Sequence, residues 1–166
     1  MIKLFNFNKN KNYINYITTH LPNAISQIKG NAKNPTINGT VEFYQLKNGV
    51  LVISQIFNLP QNSTGDFFAM HIHEANNCNE NENGDFEDSK HFSKKEFLHP
   101  SHSGDLPVIQ ANSENGEAFS VNLTNRFFVS DIIGKTIFIH ENADDFRTDP
   151  SGNSGKKIAC GVIKKP

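Results

Sequence analysis

From Ala24 onward, apolar and polar residues alternate in short runs, and each run stops at residues that favour turns. Ala24 to Lys29 alternates and ends at Gly30. Between Ile37 and Leu46, the residues Ile37, Gly39, Val41 and Phe43 share one side, while Thr40, Glu42 and Tyr44 share the other. A period of two marks a strand with one buried face. Asn48-Gly49 predicts a two-residue hairpin turn, with Val50 to Phe57 returning as the partner strand. Further strands are expected over Phe67–Glu74, Glu117–Leu123, Phe127–Ile132, Thr136–Glu141 and Lys157–Ile163, roughly eight in all. No helix is required after residue 30. Connected short strands must each cover one face, so the expected fold is all-β, an antiparallel sandwich or flattened barrel.

Two stretches break the alternation. Residues 1–22 read as an N-terminal extension, with Phe5, Phe7, Tyr13, Ile14, Tyr16 and Ile17 at a weak helical spacing amid Asn and Lys. That composition is close to a disordered tail, so the extension is expected to be partly disordered or a short helix, and residues 23–166 to be the domain. The second stretch, Asn76 to Leu106, is polar, rich in Gly and Asn, and without period. A loop of that length inside one domain points to function.

Composition narrows the classes. A chain of 166 residues suits one domain with a real core. A net charge of -1 carries no footprint for nucleic acid. No apolar run is long enough to span a membrane, so no membrane partner is expected. The first residues lack the apolar middle of a secretory signal, which points to the cytoplasm. Two cysteines, Cys78 and Cys160, could form at most one bridge.

Candidate chemistry gathers in the long loop and the strand before it. Five of the seven histidines lie there: His71, His73, His91, His99 and His102, followed by Asp105. Residues i and i+2 of a strand face the same way, so His71 and His73 can chelate one ion. His91, His99, His102 and Asp105 are a plausible closed tetrahedral set for zinc. An imidazole-only set suits copper. His140 ends an apolar strand, where a lone histidine is more often a core residue. His20, beside Pro22, reads as a surface histidine.

The order of motifs then becomes informative. It runs His71-x-His73-Glu74, Cys78, His91-Phe92, His99, His102-x-Gly104-Asp105-Leu106, His140-Glu141-x-x-Asp144-Asp145, Gly152-Asn153-x-Gly155 and Ala159-Cys160-Gly161-Val162-Ile163. From about Ala24 to Ile163 this resembles the copper/zinc superoxide dismutase family, in the compact form of some bacterial members, where only two residues separate His99 from His102. The resemblance implies an eight-stranded Greek-key sandwich, immunoglobulin-like in architecture, with a long metal-binding loop. It implies copper on His71, His73, His91 and His140, and zinc on His91, His99, His102 and Asp105, with His91 bridging the two ions. It makes Asp144 the carboxylate joining His71 to His99, and Cys78–Cys160 a disulfide, which would favour a compartment more oxidising than the cytoplasm. The implied reaction is disproportionation of superoxide, with His91 relaying a proton; the implied partners are that small anion and, left open, a second copy in a homodimer.

Two departures bear on rate. Lys157 stands where the family has an arginine that guides the substrate. Lysine keeps the charge and loses the planar fork, so activity is expected to be reduced and not abolished. The loop from Asp145 to Lys156 is short and lacks the charged stretch that steers the anion in eukaryotic members. Two alternatives stand beside the enzyme: a copper-binding or copper-delivering protein with little turnover, and an adhesive sandwich with incidental histidines. Asn-x-Ser/Thr triplets at Asn38, Asn62 and Asn122 are expected by composition in a chain so rich in Asn.

Overall fold

The computed structural model describes residues 13–166, so the part of the expected extension over residues 1–12 lies outside the described residues. A short helix, α1 (Tyr13–Thr19), leads into β1 (Ala24–Gly30). At its end the His20 ring stacks on Tyr16 with centroids 4.1 Å apart. Next come β2 (Asn38–Leu46) and β3 (Gly49–Phe57), an antiparallel hairpin. Leu46 pairs with Gly49, so the turn residues are Lys47 and Asn48, one position earlier than expected. The reason is register. Phe43 opposite Val52 and Val41 opposite Ser54 place these buried side chains on one face, and a slip of one residue would turn Val52 outward.

The expected strand over 67–74 is two: β4 (Phe67–Phe68) and β5 (Met70–His73). β4 pairs with β6 (Ile109–Gln110), a strand too short to show in the alternation. β7 (Ala118–Thr124), β8 (Thr136–His140) and β9 (Lys157–Lys164) complete nine strands among the described residues, where roughly eight were expected. Seven form one antiparallel sheet in the order β5-β8-β9-β1-β2-β3-β7, curled into a half-barrel. β3 and β5, consecutive among the strands of this sheet, thus sit far apart across it.

A second helix, α2 (Val129–Ile132), replaces the strand expected over 127–132, and a helix does occur after residue 30. Val129 and Ile132 are buried at a spacing of three, which suits a helical turn. The Asp131 carboxylate accepts the Phe128 N–H at 2.7 Å, and Gly134 follows at positive φ.

The fold positions a site because β5 and β8 are buried on both faces. Met70, Ile72, Ile137 and Ile139 join the main core. His71, His73, Phe138 and His140 alternate with them and face the other way, under the long loop. Cys78 and Cys160 are joined by a disulfide across 82 positions, beside Phe86 and Phe138. Among the described residues no helix is long and apolar enough to cross a membrane.

Candidate metal centre

The loop from 76 to 106 runs back along β5 and brings its histidines to those of the strand. Phe92 N–H donates to the Ile72 carbonyl (2.7 Å), Ile72 N–H to that of Gly104 (2.9 Å), and Glu74 N–H to that of Lys90 (2.9 Å). These bonds set His91 beside His73 and Asp105 beside His71. On the other side, β8 pairs with β5, and His140 N–H donates to the Ala69 carbonyl at 3.0 Å. Two clusters result. His71, His73, His91 and His140 each offer an atom within 4.8 Å of the others, and so do His91, His99, His102 and Asp105. His91 belongs to both.

The hydrogen bonds leave one ring nitrogen open on each imidazole. Asp144 lies between His71 and His99, accepting from His71 Nε2 at 2.7 Å and His99 Nε2 at 2.8 Å. His73 Nδ1 donates to the Ser89 carbonyl at 2.8 Å, and His140 Nδ1 lies 3.2 Å from the Gly155 carbonyl. His91 Nδ1 is 2.7 Å from Asp105 Oδ1. Left buried without a hydrogen-bond partner are His71 Nδ1, His73 Nε2, His91 Nε2, His140 Nε2, His99 Nδ1 and His102 Nδ1. The last two lie 3.3 and 3.1 Å from Asp105 Oδ2 but are not aligned to bond it. Buried polar atoms are nearly always paired, so six orphaned nitrogens in two clusters are what an ion must satisfy. The residues fit copper and zinc.

Electrostatics prepare the same chemistry. Burial holds the His73 and His140 imidazoles well below their usual range, reinforced by the neighbouring rings and Lys157. Burial also lowers His91, against the opposing pull of Asp105. A neutral imidazole keeps the lone pair that a metal needs. Burial pushes Asp144 up, but the bonds from His71, the Phe146 N–H and His99 outweigh it and bring it to about 2. Asp105 is likewise lowered, burial being overcome by His91, His102 and His99.

An open cavity of about 860 Å³ reaches the site and is lined by His73, His91 and His140 together with Lys157. Lys157 Nζ donates to the Glu87 carbonyl (3.0 Å) and Asp88 Oδ1 (3.2 Å), and it stands 4.8 Å from the centre of the Phe138 ring. Burial lowers its pKa, partly offset by Asp88. Lys90, Lys94 and Lys95 of the loop line the same cavity. The expectation from sequence concerns steering charge after Asp145 and leaves these three out. It also misses Ser89 and Gly155, whose carbonyls orient two rings; a backbone acceptor leaves no mark in a residue pattern.

A sequence profile of the family described as copper/zinc superoxide dismutase matches residues 37–163. Superoxide dismutase [Cu-Zn] 1 of Aquifex aeolicus is 34% identical over 142 residues, covering 76% of this chain and 79% of its own length. Superoxide dismutase [Cu-Zn] of Legionella pneumophila is 34% identical over 134 residues, covering 78% of this chain and 80% of its own. Among solved structures, Cu/Zn superoxide dismutase from Brucella abortus superposes with a TM-score of 0.67 at 21% identity, over 85% of this chain and 99% of that one.

Proposed function

The chain belongs to the copper/zinc superoxide dismutase family, and from that premise we infer that it disproportionates superoxide to oxygen and hydrogen peroxide. The observation that carries the site assignment is the set of six orphaned imidazole nitrogens in two clusters that share His91. In this reading His71 Nδ1 and Nε2 of His73, His91 and His140 would hold copper, and His91, His99, His102 and Asp105 would hold zinc. Copper supplies the one-electron redox exchange with each of two superoxide ions, and redox-inert zinc tunes the shared imidazole.

The chain's own residues do the rest. Lys157 and the lysines lining the cavity draw the anion inward. Asp144 holds the His71 and His99 rings in one tautomer, and the Ser89 and Gly155 carbonyls do so for His73 and His140. When its Nε2 is free, His91 would take up a proton from solvent there and donate it to the superoxide being reduced; the second proton arrives from solvent through the open cavity, so two superoxide ions and two protons yield one oxygen and one hydrogen peroxide. We assign the domain to residues 23–166; the helix α1 before it contributes no residue to either cluster. The disulfide favours an oxidising compartment.

The test is dismutation by the copper- and zinc-loaded protein beside its His140→Ala variant. A rapid rate lost in the variant is expected. A stoichiometrically loaded protein no faster than the variant would overturn the enzyme and leave a copper carrier.

A further inference from the structure

Arg126, one of only two arginines in the chain, belongs to neither cluster, yet its guanidinium ends on the loop that carries the second one. Its Nη1 donates to the carbonyl oxygens of Pro100 (2.9 Å), His102 (3.2 Å) and Asp105 (3.1 Å). Nη1 carries two protons, so three acceptors share two N–H groups. The stretch from Pro100 to Asp105 is therefore bent around one cation. Without it, three converging carbonyl dipoles would lose the one cation that draws them together, and water would meet the exposed Pro100 and His102 oxygens separately. Two of those carbonyls belong to His102 and Asp105 themselves, and Pro100 directly follows His99. Every loop-borne donor of the second cluster other than His91 is thus within one residue of an Arg126 contact.

The anchor is firm at its own end. Arg126 N–H reaches Thr124 Oγ1 at 3.3 Å, and the next residue, Phe127, is buried in the main core. The same short segment grips the loop a second time, where Asp131 of α2 pairs with Lys94 Nζ at 2.5 Å. Lys94 N–H in turn reaches Ser103 Oγ at 3.1 Å. The junction between β7 and α2 thus holds both limbs of the turn that presents His102 and Asp105.

We propose that Arg126 is the positioning residue of the zinc half of the site: three carbonyl contacts fix His99, His102 and Asp105 relative to one another before the ion arrives. This rests on the zinc reading above. An arginine suits the task because its charge does not titrate and its planar head keeps its N–H directions fixed.

The experiment uses the full-length, metal-loaded protein and reads zinc release to a chromogenic chelator, copper retention by visible absorption, and unfolding of the metal-free form. Arg126→Gln is expected to weaken zinc retention by about 10- to 100-fold, the range for residues that orient ligands, while copper occupancy and metal-free unfolding stay near wild type. Arg126→Lys, which keeps the charge, should lose zinc faster than wild type but recover part of the difference; should the Gln variant fail to fold, Lys carries the test alone. Wild-type zinc retention in the variants would overturn the proposal. So would loss of both metals in step with a less stable metal-free protein, since that marks a general structural role. A wild-type chain that takes up no zinc would overturn the zinc reading itself, and the role of Arg126 with it.

Discussion

At the scale of residues, Asp144 shows how much one side chain can carry. Its Oδ2 accepts from His71, and its Oδ1 from His99 and from the Phe146 N–H at 2.6 Å. Gly152 makes room for it, because a Cβ there would lie 1.9 Å from Asp144 Oδ1. An amide cannot do the same work: with one acceptor oxygen and one donor nitrogen, it can receive a proton from only one of the two rings. Asp144→Asn should therefore weaken both metals by about 10- to 100-fold, measured by competition with a chelator; unchanged affinities would remove Asp144 from its bridging role. The carboxylate also links stability to pH. Its folded pKa of about 2 lies below the ordinary 3.8, so its contribution is complete above that ordinary value and fades as pH falls through the folded one. The metal-free Asn variant should lack this part of the acid transition.

Among the elements, β5 and β8 are the two whose alternation serves two purposes, core on one face and imidazoles on the other. The loop that covers the second face is tied down by the Cys78–Cys160 disulfide, which closes 82 positions. On the chain-entropy model such a closure stabilises by about 4–5 kcal/mol. Replacing both cysteines with serine should lower the unfolding free energy by roughly that amount and speed hydrogen exchange over residues 76–90; an unchanged denaturation midpoint would argue that the loop is held by its bonds to β5 alone. The alternation was a good guide to which segments are strands and to the buried side of β2, with Val41 and Phe43 following Ile37, but not to the faces of β7. In β7 the apolar Phe119, Val121 and Leu123 are exposed, while Ser120 faces the buried Ser54 at 2.7 Å. At α2 it misled outright, since a six-residue stretch with four apolar positions, Phe127, Phe128, Val129 and Ile132, looks the same in a helix and a strand.

For the molecule as a whole, the net charge of -1 hides a small positive excess at the site, where Lys90, Lys94, Lys95 and Lys157 line the cavity against Glu74, Asp88 and Glu96. If they steer the anion, raising ionic strength from about 0.01 M to about 0.15 M, which shortens the Debye length from about 30 Å to about 8 Å, should slow dismutation. Lys95→Glu should slow it further and flatten or reverse the salt response; a rate indifferent to salt in both proteins would show that arrival is not guided. The sequence alone determined most of the strands, the donor types and, through the order of its motifs, the family, because periodicity and spacing report on residues close in the chain. What it left open was decided by how the sheet closes. His71 and His99 meet through Asp144, 73 and 45 positions away, and Arg126 reaches the loop some twenty residues before it. Which nitrogen of each ring stays open also depends on carbonyls such as Ser89 and Gly155. Such contacts join segments distant in the chain through backbone atoms that every residue has, so only the assembled half-barrel selects them.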